Sequence, residues 1–84
     1  MAKGVIRYWA AAKAAAGVAE ESYQAETLAE ALQNAGAARG GEFGRVLARS
    51  SFLVDGLPVG TRPHEGVELT DGAVVEVLPP FAGG

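Results

Sequence analysis

Six residues, Pro79-Pro80-Phe81-Ala82-Gly83-Gly84, have the types and spacing best suited to chemistry in this chain. Gly83 and Gly84 carry no side chain, so they can thread a channel too narrow for a Cβ and let another backbone approach closely. Pro79 and Pro80 restrict two φ angles and favour an extended polyproline conformation. They launch the segment away from what precedes it, and six extended residues reach roughly 20 Å. Phe81 is a large apolar group on that arm, either tucked back onto the domain or received by a partner's pocket. A carboxylate on Gly84 has an ordinary pKa of about 3.5 and is an anion at neutral pH. Such an anion is a poor electrophile and needs activation, for example as an acyl-adenylate made from ATP. The activated carbonyl then accepts an amine, a thiol or a sulfur donor. The chain contains no GxxxxGK phosphate loop, and Gly40-Gly41 has no lysine at the right place. Activation is therefore expected in a separate enzyme that uses the ATP, with no cofactor and no metal bound here.

Composition narrows what the arm can carry. There are no cysteines, which excludes a disulfide framework and a Cys-based metal site. No side chain can hold a persulfide, so any sulfur must be carried elsewhere than on a thiol. His64 is the single histidine and sits in a Gly/Pro-rich loop without a Cys or Ser partner, so no catalytic or metal role is expected of it. The net charge of -3 and pI near 5.0 argue against nucleic acid as a partner and against an acidic membrane surface. The start of the chain lacks an apolar signal region, and nothing approaches the ~20 apolar residues of a membrane span. The expectation is a soluble cytoplasmic protein. With 84 residues, 49% of them hydrophobic, one globular domain is the natural count.

The elements that must position the arm are legible along the chain. Gly4 to Trp9 is β-branched and aromatic and predicts a well-buried strand. Ala10 to Ala16, alanines with one lysine, predict a short helix stopped at Gly17. Val18 to Ala25 predicts a second strand. Thr27-Leu28-Ala29-Glu30 is a capping box, after which Leu28, Ala31, Leu32 and Ala35 share one helical stripe that Gly36 closes. Gly40-Gly41 marks a turn before a short helix over Glu42 to Arg49, with Phe43, Val46 and Leu47 on one face. Ser51 to Val54, an Asp55-Gly56 turn and Leu57-Pro58-Val59 predict a hairpin, with Pro58 confined to an edge strand. After a loop and the Asp71-Gly72 turn, Ala73 to Leu78 predicts a buried strand. Strands and helices sharing one core indicate an α+β fold, with the helix on one face of a mixed sheet. The domain is expected over residues 1–78, with 79–84 as a projecting tail. Glu20-Glu21 is expected on a solvated surface. Lys3 and Lys13 fit ordinary surface lysines or salt-bridge partners for another subunit.

Three segments resemble the MoaD family of ubiquitin-like sulfur carriers. Val5-Ile6-Arg7-Tyr8-Trp9-Ala10-Ala11-Ala12-Lys13, leading to Ala16-Gly17, is similar to that family's opening strand and short helix, with Trp9 where phenylalanine is usual. Thr27 to Leu32 resembles its capped helix. Leu69 to Gly84, with Asp71-Gly72-Ala73, Pro79-Pro80-Phe81 and Gly83-Gly84, is similar to the family's ending, Ala73 and Phe81 being variations. The resemblance covers nearly the whole chain; Arg39 to Ser50 is its least diagnostic part.

That resemblance implies a ubiquitin-like β-grasp fold with first and last strands parallel and adjacent. Trp9 and Leu78 should then lie together at the root of the tail as an apolar patch for a partner, although Trp9 also fits the core. It implies a cycle in which a ubiquitin-activating-enzyme-like adenylyltransferase adenylates Gly84 and a sulfur donor protein converts it to a thiocarboxylate. The tail then enters the large subunit of molybdopterin synthase and its sulfur attacks the cyclic pyranopterin monophosphate precursor. The family's usual assembly is two small and two large subunits. Alternatives are a carrier for cysteine or thiamine synthesis, a modifier joined to lysines through Gly84, and a binding module with an inert tail. Thiamine carriers resemble the chain at its tail but usually lack a helix after the first strand.

Overall fold

A computed structural model describes residues 1–80. Its elements run β1 (Ala2–Tyr8), α1 (Ala10–Ala16), β2 (Glu20–Ala25), α2 (Leu28–Gly36), α3 (Gly41–Arg49), β3 (Ser51–Val54), β4 (Leu57–Pro58), a 3-10 turn (His64–Gly66) and β5 (Val74–Leu78). The strands form one mixed sheet in the order β2-β1-β5-β3-β4. β1 and β5 are parallel, pairing Val5 with Val74 through Tyr8 with Val77, and the other neighbours are antiparallel. Parallel neighbours need a crossover. Here it is long, carrying β2, the helices and the β3-β4 hairpin, and it places the first and last strands in mid-sheet.

Alternation along each strand separates two faces. Ile6 and Tyr8 of β1, Tyr23 and Ala25 of β2, Phe52 of β3, and Val75 and Val77 of β5 are buried. They pack in one cluster with Ala12 of α1, Leu28, Ala31 and Leu32 of α2, and Phe43 of α3. The expected main helix is α2, and α1 and α3 share the layer with it. Tyr8 meets Phe43 edge to face with ring centroids 5.6 Å apart, an arrangement that the ring quadrupoles favour.

Local chemistry explains the element ends. Gly17 adopts φ +81 and its N–H donates to Lys13 O, so α1 stops on the left-handed residue that glycine supplies without strain. Thr27 Oγ1 accepts from Glu30 N–H, while the Glu30 carboxylate accepts from Glu26 N–H, one residue before the cap. Asp55 and Gly56 both have positive φ (51 and 80), the type I′ geometry whose twist matches a hairpin. Pro58 lies in β4 at the sheet edge, where its missing N–H breaks no interior ladder.

Gly36 closes α2 as expected, with the right-handed Ala37 as its cap. Two expectations are corrected. Gly40-Gly41 is less a turn than a helix start, because Gly40 is the N-cap of α3 and Gly41 its first residue. Glu21 does not share the solvated surface of Glu20. It is half-buried on the core side of β2, accepting from Arg39 at 2.6 and 3.1 Å and from the Tyr8 hydroxyl.

Arg39 is the centre of that cluster. It also donates to Ala16 O and Ala35 O, carbonyls at the ends of α1 and α2, and lies over the Phe43 ring at 5.0 Å. Its hydrogen bonds hold the Glu21 carboxyl below the ordinary range, against the opposing effect of burial. Burial, with Glu21 beside it, pushes the Tyr8 hydroxyl well above its usual value, so Tyr8 stays a donor. A depressed carboxylate pKa stabilises the fold above the unfolded value and loses that contribution as pH falls through the folded one. Arg39→Ala is expected to cost about 2 kcal/mol at neutral pH, the size of a hydrogen bond to a charged partner. The difference from the parent chain should shrink as pH drops below about 4.3, the unperturbed glutamate value. Urea unfolding of both chains across that range checks it; a pH-independent difference would remove Glu21 from the explanation.

Candidate functional site

The arm is rooted where β1 and β5 end side by side. Trp9 N–H donates to Val77 O at 3.2 Å, and Tyr8 N–H donates to Ala19 O at 2.8 Å. Trp9 and Leu78 therefore leave the sheet at the same edge, as the parallel register requires. Leu78 is half-buried, on the sheet face away from the helices. Trp9 is 46% exposed and Val18 41%, both large apolar residues left open to solvent. Trp9 is thus not a core residue. It is the N-cap of α1 rather than the last residue of β1.

The turn beyond Trp9 is sharp. Ala10 has φ +50, a left-handed conformation that holds about 1–2 kcal/mol of strain for a residue with a Cβ. Ala12 N–H and Lys13 N–H both close back on Trp9 O, at 2.9 and 3.4 Å. The strained step lets α1 start at once, so the indole stays at the sheet end. It also brings Lys13 one helical turn from Trp9. A groove of about 510 Å³ opens there, lined by Arg7, Tyr8, Trp9, Ala10, Lys13, Ala19 and Glu20. Arg7 and Glu20 form an exposed pair at 3.7 Å, worth little by itself. Lys13 makes no ion pair among the described residues.

Of the expected tail residues, Pro79 is buried and Pro80 is exposed, so the first exposed residue after β5 is Pro80. Phe81, Ala82, Gly83 and Gly84 lie outside the described residues. Of the groove's other walls, Ala10 and Ala19 carry no site signal in the sequence, whereas Lys13 reads there as a surface lysine or a salt-bridge partner for another subunit. The i, i+4 spacing of Trp9 and Lys13 was the available signal, masked by the uniform alanines around it. His64 lies on the β3 side of the sheet, opposite the Trp9 groove, edge to face on Phe52 at 4.9 Å. Among the described residues no three His, Asp or Glu side chains group as metal ligands, and no helix is long and apolar enough to cross a membrane.

Comparison with known proteins agrees with this geometry. Several solved structures share the fold. One is the small archaeal modifier protein 1 from Methanosarcina acetivorans, with TM-score 0.81, 22% identity, and coverage of 100% of this chain and 98% of the other. The putative molybdopterin converting factor subunit 1 from Pyrococcus furiosus gives 0.79 at 24% identity, covering 96% and 100%. A third comes from the complex of subunits 1 and 2 of molybdopterin-converting factor from Helicobacter pylori, at 0.71 and 18%, covering 98% and 99%. No curated protein sequence matches significantly. At these identities the likeness establishes the ubiquitin-like β-grasp fold. The ThiS family model matches residues 6–84, nearly the full length. By that match this chain belongs to the ThiS family.

Proposed function

We propose that this chain is the sulfur-carrying small subunit of a molybdopterin synthase. The observation that carries the reading is the extent of the family match, which runs past the sheet through Gly83 and Gly84. In the proposed cycle a separate adenylyltransferase joins the Gly84 carboxylate to ATP and releases pyrophosphate. A sulfur donor protein then displaces AMP, leaving a thiocarboxylate. Its sulfur is a good nucleophile at neutral pH and attacks the cyclic pyranopterin monophosphate precursor within the large subunit. Acid–base and substrate-binding groups belong to that subunit, and this chain supplies the nucleophile.

Two further features support the assignment. Helix α1 follows the first strand directly, whereas thiamine carriers usually lack it. The Helicobacter pylori relative was solved as a complex of subunits 1 and 2, which favours a large-subunit partner here. The root of the tail, with Trp9 exposed beside Leu78 at one end of the sheet, is the proposed docking patch. The setting is proposed to be cytoplasmic, where the activating enzyme has ATP.

A second reading has its own support. The fold likeness to small archaeal modifier protein 1 favours a modifier joined to target lysines through Gly84. Chemistry up to the adenylate is shared, and the acceptor separates the two. Intact mass of the protein from its native cells decides. A species heavier by the difference between sulfur and oxygen, localised to Gly84, establishes the carrier. A plain carboxylate in every fraction, with the chain found in amide linkage to lysines, establishes the modifier.

A further inference from the structure

The two edges of the sheet are built differently. β4 closes one edge with two residues, one of them Pro58. β2 closes the other with six, Glu20–Ala25, and contains neither proline nor lysine, two devices that keep an edge strand from pairing again. The direction of its free groups follows from its neighbour. In β1 and just past it, odd-numbered residues turn toward β5: Lys3 O accepts from Gly72 N–H, Val5 N–H donates to Ala73 O, and Trp9 N–H donates to Val77 O. Tyr8 N–H turns the other way, to Ala19 O. Glu20, Ser22 and Gln24 stand opposite the odd-numbered Arg7, Val5 and Lys3. In an antiparallel pair such residues aim their own N–H and C=O groups outward. Three donors and three acceptors therefore line the open edge, without partners among the described residues. All three side chains are exposed. We infer that this edge pairs with the same edge of a second copy, antiparallel about a two-fold axis at Ser22, doubling the five-stranded sheet.

Register, charge and access select a second copy as the occupant. The free groups sit on even-numbered residues, so the pairing that sets Ser22 against Ser22 also sets Glu20 against Gln24. Every free group of both copies then finds a partner. A slip one way sets Glu20 against Glu26, whose N–H already donates to the Glu30 carboxylate and whose C=O accepts from Leu69 N–H. A slip the other way sets Glu21 against Glu21. The register at Ser22 opposes no like charges, which destabilise a cross-strand pair. Both carboxylates of the strand are also matched within their own chain, Glu20 by Arg7 at 3.7 Å and Glu21 by Arg39 at 2.6 Å. Access is open. A groove of about 660 Å³ separates β2 from α2, and the helix wall there is Ala31, Asn34 and Ala35, too short to cover the strand. The contact is isologous, so it closes at two copies and consumes the open edge of each. Because the strands run antiparallel across the axis, the two Trp9 patches lie at opposite ends of the joined sheet, each left to its own partner.

The chain has no cysteine, so single introduced cysteines report the register. Under a mild oxidant, Ser22→Cys should form a disulfide-linked dimer about tenfold faster than Gln24→Cys, because only position 22 meets itself across the axis. Opposed Cα atoms of such a pair lie about 5.5 Å apart, within disulfide reach, whereas the two copies of position 24 are roughly 13 Å out of register. Equilibrium sedimentation of the unaltered full chain from about 10 µM to about 1 mM should show the mass rise from 8.6 kDa toward twice that, since an edge contact lies at the weak end of protein interfaces. Ser22→Lys sets two cations face to face and should hold the chain monomeric over that range. Ala48→Lys adds the same charge on the exposed side of α3 and should leave association unchanged. A mass of 8.6 kDa at every concentration would overturn the pairing. A dimer that Ser22→Lys leaves intact, or equal cross-linking of the two cysteine variants, would overturn it too. No activating enzyme, sulfur donor or ATP enters these measurements, so failure of the pairing leaves the carrier reading standing, and the reverse holds.

Discussion

Deleting Gly84, or adding one residue after it, abolishes sulfur transfer while the fold melts as the parent chain does. The separation follows from where stability resides. The buried cluster runs from Ile6 to Val77, and the sheet ends at Leu78. Gly84 has no side chain to contribute to packing. Its carboxylate is the only atom group of the tail that the proposed chemistry changes, and an added residue moves that group off the glycine that a narrow channel accepts. Thiocarboxylate formation with the activating enzyme and sulfur donor should fall below detection in both variants. Thermal midpoints should stay within about 2 °C, as for surface changes that touch no packing. Gly83→Val tests the channel argument separately: it keeps the carboxylate and should block access by its side chain alone. Parent-like transfer from either terminal variant, at normal stability, would sink the carrier reading. Parent-like transfer from Gly83→Val would refute only the narrow channel.

The second large effect is on folding. Gly4 lies in β1 where no side chain fits: a Cβ there would overlap the Ala73 carbonyl oxygen and come within 2.6 Å of Tyr23 Oη. Both neighbours are engaged. Tyr23 donates to Ala73 O at 2.9 Å in a buried position, and Val5 N–H reaches the same oxygen at 3.4 Å. Gly4→Ala must push apart β1 and the entry to β5, the pair that sets the root of the tail. Overpacking costs about 1–3 kcal/mol, and losing the Tyr23 hydrogen bond adds about 1 kcal/mol. A total of about 3 kcal/mol is a large share of the ~5–15 kcal/mol that holds a typical domain together. Gly44→Ala provides the contrast, since Gly44 is exposed inside α3 with open space around it. It should stabilise by about 0.5–1 kcal/mol through helix propensity. Urea unfolding of the two variants should therefore move in opposite directions; equal and small changes would mean that β1 relaxes around Gly4 without loss.

Much of the fold was legible because the patterns were local. The Ala10 to Ala16 run with Gly17, the Thr27 capping box and the Asp55-Gly56 turn each satisfy their own backbone groups within a few residues, and each appears where expected. The parallel pairing of β1 and β5 came from resemblance to a known family rather than from any local pattern, since it joins Val5 to Val74 across the chain. Glu21 was misplaced for a related reason. Its neighbour Glu20 is exposed and alternation along β2 puts Glu21 on the core side, but only Arg39, eighteen residues away, makes that position tolerable for a carboxylate.

The sequence by itself determined the chemistry available to this protein: no thiol, no phosphate loop, and a Gly-Gly segment behind two prolines, all matters of residue type. It also determined most element boundaries, which depend on caps, turns and periodicity. Only the tertiary structure decided that Trp9 is an exposed cap rather than a buried strand residue. That outcome rests on the left-handed turn at Ala10 and on Val77 accepting the Trp9 N–H. It also decided that Lys13 and Ala19 share a groove with Trp9 at the root of the tail. The first depends on β5, far along the chain, lying beside β1, and the second on β1 and β2 pairing across α1, neither of which residue types alone specify.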